Sequence, residues 1–450
     1  MSRSAVSVVT KKEVTLRRWW LALLAVLVLA AGGASALWLR TGDSSPLAAP
    51  APTPVPTRTP LLQPATSGTV TAAGLRRALA RALADRALGN RVSIAVVGPD
   101  GHPLLDQLGS RTVTPASTAK IATAIAALTV LPPDKRLRTS VVRGARPGEV
   151  VLVGGGDPTL GGRWATAGYP GTASLRGLVR GLTGVTRVTV DDSLYVGPRL
   201  GPGWKPSYVT TGNVAPVSAL EVDEGRQGKT GPRVQDPALE AGRQLAALLH
   251  VRAPVGRAKA PAGAQVLSSV LSPAVPQLVE EMLTRSDNDL AESLGRQVAL
   301  ASNEPASFAG AVAATAAALK QTGAKGVALR DSSGLSPLDR AQPLGLATLL
   351  ARAAASPAYS ALLSGLPVGG FDGTLGQRYR KAPTASAAGL VRAKTGTLNG
   401  VSALAGLVVT RTGGVLAFDV TADGVPLGGT LSAEAALDRV ATALASCGCA

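Results

Sequence analysis

The sequence predicts an α/β (α+β) fold, in which an antiparallel sheet flanked by helices is assembled from both ends of a long folded body and interrupted by an inserted β-rich domain. Three observations predict it. A helical pattern and a two-strand pattern open the body at residues 71–108, three strands and a helix close it after residue 390, and the stretch between changes to short β-like runs broken by Gly and Pro. A chain of 450 residues, 46% hydrophobic, has the length for such a core and for an excursion from it.

Ahead of the body, residues 17–40 read RRWWLALLAVLVLAAGGASALWLR, with no charge between the flanking arginines. At about 1.5 Å per residue this stretch reaches across a hydrocarbon core of about 30 Å, and Trp19, Trp20 and Trp38 bracket it as interfacial anchors. Lys11, Lys12, Arg17 and Arg18 outweigh Arg40, so residues 1–18 read as a cytoplasmic tail and 19–39 as a transmembrane anchor. The alternative is a secreted protein, cleaved near Ala36 because Ala34-Ser35-Ala36 has the small-x-small form. Both readings export the body. Residues 40–68, rich in Pro, read as an extended linker.

The body starts near Thr71 with TAAGLRRALARALADRAL, which has helical period, and RVSIAVVGPDGHPLLDQL, which reads as two strands about a turn. PASTAKIATAIAAL, residues 115–128, opens a helix, with Pro115 just ahead of an alanine-rich run. From about Thr139 come SVVRG, EVVLVGGGDPTL and VTRVTVDDS, with one clear helix at DPALEAGRQLAALLH. Residues 69–138 and 266–450 are therefore assigned to the main domain and 139–265 to the insertion. Helical pattern returns from Ala274, and GLVRAKTGTLNGVSALAGLVVTRTGGVLAFDVTA gives three strands turned at Asn399-Gly400 and Gly413-Gly414. The amphipathic SAEAALDRVATALAS is the last helix.

Composition removes several functions. The net charge of +18 is scattered and only 3% of residues are aromatic, so nucleic acid is not an expected partner, while anionic wall polymers or lipid headgroups are. Two histidines and two cysteines cannot assemble a zinc site, and neither metal nor cofactor is expected. His102 lies in a polar turn and His250 at a helix end, both poor places for a Ser-His-Asp triad. Cys447 and Cys449 leave open a local disulfide, a link to a partner or a reactive tail.

Against this background three short motifs carry chemistry. Ser117 and Lys120 stand three apart on a helix, so they share a face, and a neutral lysine there can take the serine proton. A lysine of ordinary pKa, about 10.4, needs burial or a neighbouring cation to do so near neutrality. Ser286 and Asn288 open another helix, where the serine suits proton relay to a leaving amine and the asparagine suits hydrogen bonding to a substrate amide; helix capping is the competing reading. Lys-Thr-Gly occurs twice. Lys229-Thr230-Gly231 sits in a Gly/Pro loop with no strand pattern and reads as chance. Lys394-Thr395-Gly396 lies on a strand entering a hairpin: Lys394 would depress the pKa of Lys120, Gly396 would let a ligand approach, and Thr395 and Thr397 would bind a carboxylate. The backbone N–H groups of Ser117 and Thr397 would form an oxyanion hole.

In this order, on these elements, the three motifs resemble those of the penicillin-recognising serine enzymes. GGGDPTL (154–160), VDDSLYVGP (190–198), VAPVSALEVDEGR (214–226), RDSSGLSP (330–337), LPVGGFDGTL (366–375) and RAKTGTLNGVSALAG (392–406) resemble the D-alanyl-D-alanine carboxypeptidase/endopeptidase family, the class C penicillin-binding proteins. The likeness runs from residue 71 onward. It implies a penicillin-binding transpeptidase/β-lactamase-like domain and a serine D-Ala-D-Ala carboxypeptidase that forms an acyl-enzyme on Ser117 with peptidoglycan stem peptides. Cleavage of D-Ala cross-links and covalent inhibition by β-lactams are implied as well. Family members with two inserted domains need a longer excursion than that between Ser117 and Ser286, so one main insertion is expected here.

Two rival readings are weighed against this one. A class A β-lactamase matches the literal Ser286-Asp287-Asn288, but it needs a later glutamate to activate water, and only Glu292 and Glu304 precede Lys394. A non-catalytic wall-binding module on the same fold is the other, disfavoured because every polar group of the three motifs is present.

Overall fold

The computed structural model describes residues 70–163, 171–228 and 231–449. The tail, anchor and linker predicted at residues 1–68 lie outside the described residues, as do Lys229 and Thr230 of the second Lys-Thr-Gly. All described residues belong to one compact unit, Arg58–Ala450.

Its centre is a five-stranded antiparallel sheet built from both ends of the body. Strands β1 (Val92–Val97) and β2 (Pro103–Gln107) come from the start, and β10 (Val391–Leu398), β11 (Val401–Val409) and β12 (Val415–Ala422) from the end, in the order β10-β11-β12-β1-β2. The distant segments meet where β1 pairs with β12, Ile94 opposite Val420 and Val96 opposite Phe418. Side chains alternate across a strand, so the two faces feed two cores. Ile94, Val96, Leu404, Val408 and Phe418 pack with Leu75 and Leu79 of helix α1 (Ala72–Leu83) and Leu437, Val440 and Leu444 of the terminal helix Thr430–Ala445. Ala95, Val97, Ala405, Leu407 and Ala417 face the other core.

That second core surrounds helix α2 (Lys120–Val130), KIATAIAALTV. Ile121, Ala122, Ala124, Ile125, Ala126 and Ala127 are all buried, and a helix apolar on every side belongs inside. Helices at Val275–Arg285, Asn288–Ala301, Phe308–Gln321 and Pro343–Ala354 surround it.

The excursion leaves and returns at one place. Strand β3 (Arg136–Arg143) follows α2 and pairs antiparallel with β7 (Val266–Ala274), which runs directly into the helix Val275–Arg285. Val275 N–H donates to the Lys135 carbonyl at 3.0 Å, and Leu137 N–H to Ser272 Oγ at 2.8 Å. The end of the Ser117 helix and the start of the helix leading to Ser286 are thereby pinned together. Between them β4 (Glu149–Val153), β5 (Arg187–Asp191) and β6 (Gly256–Arg257) complete a second sheet, ordered β6-β5-β4-β3-β7, with β4–β5 and β5–β6 parallel. The helix Pro237–Leu248 covers it, capped by Asp236, whose carboxylate accepts from Leu239 N–H. The strands of this sheet span Arg136–Ala274, wider at both ends than residues 139–265.

At the chain ends, Cys447 and Cys449 are joined as a local disulfide, the first of the three states left open above. The Cys449 carbonyl accepts from Thr71 N–H at 2.8 Å, closing the terminus onto the start of α1.

A partly buried ion pair ties the terminal helix to the loop beside β10: Arg378 donates through Nε and Nη2 to Asp438 at 2.6–3.0 Å. Breaking such a pair strands a charge at a cost of about 3 kcal/mol. Asp438→Ala is therefore expected to lower the unfolding free energy, measured by denaturant titration, by that amount; a loss of less than about 0.5 kcal/mol would contradict this role.

Candidate active site

Ser117 lies on a 3₁₀ turn, Ala116–Ala119, that runs into α2 at Lys120. Three residues per turn eclipse positions i and i+3, so the 3₁₀ geometry stacks the two side chains more directly than an α-helix would. Ala116 ahead of them has φ 49°, a strained left-handed conformation for a residue with a Cβ. Gly334 leaves room for it: a Cβ there would come within 2.0 Å of the Ala116 carbonyl oxygen.

Lys120 is fully buried, and its Nζ lies 3.2 Å from Ser117 Oγ, 2.6 Å from Asn288 Oδ1 and 2.6 Å from the Ser333 carbonyl oxygen. An ammonium has three N–H donors, all used here. After loss of one proton, two donors still hold Asn288 and Ser333, and the lone pair is left aimed at the Ser117 hydroxyl.

Burial pushes the Lys120 pKa down from 10.5 to about 8, against the pull of Asp331, Asp287, Glu292 and Asp289, which favour the charged form. Lys394, expected from its place in the motif to cause that depression, does not cause it. The structure assigns it to desolvation, and Lys394 is itself held well below its ordinary value, first by burial and then by the charge of Lys120. The difference arises because the four carboxylates act on Lys120, while no acidic group offsets the burial of Lys394.

Ser286 and Asn288 flank Asp287, which is the N-cap of the helix Asn288–Ala301 and accepts from Leu290 N–H at 2.9 Å. Capping is thus the work of the residue between them. Ser286, left-handed at φ 58°, accepts from Lys394 Nζ at 2.8 Å. Asn288 spends Oδ1 on Lys120, and its amide donates to the Asn213 carbonyl at 2.8 Å, leaving one N–H for a substrate. Two serine–lysine pairs thus stand near one another: Ser117–Lys120, which Asn288 also touches, and Ser286–Lys394, whose lysine feels the charge of Lys120.

Lys394 lies on β10, an edge strand. Pro367 and Gly369 cover the first half of its free edge, where Ala393 N–H donates to the Pro367 carbonyl and Gly369 N–H to the Val391 carbonyl, both at 2.9 Å. Alternation along an antiparallel strand then turns the N–H and C=O of Thr395 and Thr397 to the same, uncovered edge. The Thr395 carbonyl there accepts from Lys394 Nζ at 2.8 Å.

Two expectations change here. At Gly396 a Cβ would lie 2.7 Å from the Pro115 carbonyl oxygen and 3.2 Å from Thr118 Cγ2, so this glycine admits the backbone of the Ser117 turn, not a ligand. The Thr395 and Thr397 hydroxyls, expected to bind a carboxylate, already donate to Thr374 Oγ1 and Glu434 Oε1, each at 3.0 Å.

Sequence reasoning missed Asn213, Ser333, Asp331, Thr374 and Glu434. Asp331 folds the loop that offers the Ser333 carbonyl, accepting from Gly334 N–H, Ser336 N–H and Trp204 Nε1 at 2.7 Å each. Glu292 holds the same loop by accepting from Ser332 and Ser333 N–H, and its other oxygen pairs with Arg296. A buried carboxylate so occupied is not poised to activate water at Ser117, and Glu304 is exposed beyond the end of that helix. The β-lactamase reading loses both its glutamates.

The family described as D-Ala-D-Ala carboxypeptidase 3 (S13) matches residues 75–230 and 227–444. Carboxypeptidase Rv3627c of Mycobacterium tuberculosis is 41% identical over 403 residues, covering 85% of this chain and 86% of that protein. Carboxypeptidase DacB of Mycolicibacterium smegmatis is 38% identical over 449 residues, covering 95% and 96%. Among solved structures, penicillin binding protein 4 (dacB) from Haemophilus influenzae shares the fold with a TM-score of 0.66 at 22% identity, over 82% of this chain and 98% of that one. With its motif residues gathered around Ser117 and a family match running through nearly the whole described body, this chain belongs to the D-Ala-D-Ala carboxypeptidase 3 (S13) family.

Proposed function

We propose that this protein is a serine DD-peptidase that cleaves the D-Ala-D-Ala bond of peptidoglycan stem peptides through an acyl-enzyme on Ser117. The observation that carries this reading is the Lys120 amine, fully buried and 3.2 Å from the Ser117 hydroxyl. Neutral Lys120 accepts the Ser117 proton as Oγ attacks the carbonyl carbon of the penultimate residue. The N–H groups of Ser117 and Thr397 stabilise the resulting oxyanion. Ser286, hydrogen-bonded to Lys394, passes a proton to the departing amine, and water then hydrolyses the ester. A β-lactam, which presents an acylating carbonyl to the same serine, is bound covalently.

Release of D-alanine from a peptide ending in D-Ala-D-Ala and labelling by fluorescent penicillin test this directly. Ser117→Ala is expected to lower both by roughly ten-thousandfold or more. Labelling that survives the substitution sinks the assignment, rapid sustained β-lactam turnover favours a lactamase, and retained binding to sacculi without any release favours the wall-binding module.

The reacting form of Lys120 is the neutral one, and its pKa lies at about 8. The neutral fraction rises with pH, so acylation by penicillin is expected to increase about tenfold per pH unit below that value and level off above it. A rate independent of pH between about 6 and 8 would contradict a lysine base.

We further propose that residues 19–39 anchor the protein in the cell membrane, with residues 1–18 cytoplasmic and the body outside, and that the basic body contacts anionic wall polymers or headgroups. The full-length chain is expected to stay in the membrane fraction through a high-salt wash, whereas a chain starting after residue 40 should need only salt to be released. Recovery of the full-length chain as a soluble product cut near Ala36 would replace this with the secreted form.

A further inference from the structure

The Ser333 carbonyl that fixes Lys120 Nζ is carried by the loop 330–339, and two buried carboxyl groups meet where that loop closes. Asp331 is 1% exposed and Asp339 is fully buried. Asp331 accepts three N–H bonds, from Gly334 and Ser336 within the loop and from Trp204 Nε1 outside it. Asp339 accepts one on Oδ1, from Arg330 N–H at 2.5 Å, which ties the two ends of the loop. Its Oδ2 is buried, and no N–H or hydroxyl of the described residues reaches it. What the side chain does meet is the Asp331 carboxyl, with which it hydrogen-bonds. Two carboxylates are acceptors only, so that bond exists only while the pair holds a proton. Three N–H donors suit Asp331 as the acceptor, and the proton therefore sits on Asp339.

We propose that Asp339 is a positioning residue that works as a neutral acid: its proton, donated to Asp331, holds the loop that carries the Ser333 carbonyl and Gly334, and so aims Lys120 at Ser117. Its effect on rate rests on the DD-peptidase reading. The charged and titratable groups that face the pair are few. Glu292 comes from the helix Asn288–Ala301 and is itself paired with Arg296. Lys120 of α2 and Tyr208 of the insertion both feel Asp331. Arg340, next in the loop, donates to the Asp339 backbone carbonyl, and among the described residues no salt bridge reaches the Asp339 carboxyl. Burial, with Asp331 beside it, accordingly pushes the Asp339 pKa up to about 9. Above that value the pair carries two charges at hydrogen-bonding distance, with Glu292 nearby as a third. The loop then loses its tie, and the added negative charge favours the ammonium form of Lys120, as Asp331 already does. Both changes slow acylation.

The test follows penicillin acylation and D-alanine release from about pH 6 to about pH 10 in wild type, Asp339→Asn and Asp339→Ala. An asparagine keeps both contacts, accepting from Arg330 N–H and donating its amide to Asp331, and has no proton to lose in this range. Wild type is expected to lose rate about tenfold per pH unit above about 9, ending the plateau that follows neutralisation of Lys120. Asp339→Asn is expected to hold that plateau about one unit further and to stay within about threefold of wild type near neutrality. Asp339→Ala, which removes both contacts, is expected to be about tenfold slower or worse at every pH. A denaturant titration reads the proton without catalysis. An acid whose pKa is raised on folding stabilises most at low pH and loses that stabilisation as pH rises towards the folded value, so the unfolding constant of wild type relative to Asp339→Asn should grow about tenfold per pH unit between about 5 and 8. An asparagine variant that keeps the alkaline fall, or that is as slow as the alanine variant at neutrality, overturns the inference, and so does an unfolding ratio flat with pH. Wild type inactive at every pH removes the peptidase reading instead, and the unfolding ratio still decides whether the pair holds its proton.

Discussion

One nitrogen constrains this molecule. Lys120 Nζ has three oxygens around it, and two of them come from segments far from it in the chain, Asn288 and Ser333. A base must be neutral to act, and water would keep this amine charged, so the site has to be dry and still polar enough to fix the amine's direction. The two short bonds to Asn288 and Ser333 supply the direction. The surrounding apolar core supplies the dryness. Four buried or nearly buried carboxylates limit how far burial depresses the amine, and the balance falls at about 8.

Much of the fold can be understood as holding those three oxygens still. The pairing of β3 with β7 ties the end of the Ser117 helix to the beginning of the helix that leads to Ser286, so the insertion fixes the distance between the first two motifs. Closure of the main sheet by β1 against β12 sets β10 beside the Ser117 turn, and Gly396 and Gly334 let backbone approach from both sides. The strained Ala116 is the local consequence. A turn this tight beside the serine needs room for close backbone approach, and Gly334 and Gly396 leave it.

The edge of β10 illustrates how function is divided along a strand. Its first half is sealed by Pro367 and Gly369, which satisfies backbone groups that would otherwise invite pairing with another chain. Its second half is left open beside the serine. The same edge therefore contributes both closed structure and a place for an extended peptide to lie.

What was legible in the sequence was local. Period-two and period-3.6 patterns placed the first helix, the opening hairpin, the closing three strands and the last helix, because alternation and turn residues such as Asn399-Gly400 act within a few positions. The motifs Ser117/Lys120, Ser286/Asn288 and Lys394-Thr395-Gly396 stood out because each has side chains of the right chemistry at a spacing one element can hold. RDSSGLSP and LPVGGFDGTL were visible as family-like segments but not as the sources of the Ser333 carbonyl and the Thr374 hydroxyl, and Glu434 looked like any polar position of an amphipathic helix. Tertiary structure alone decided that burial, not Lys394, depresses Lys120, that Gly396 accommodates backbone, and that the threonine hydroxyls already have partners. Desolvation and hydrogen-bond partnership are sums over atoms brought together from distant segments, and no spacing along the chain encodes them.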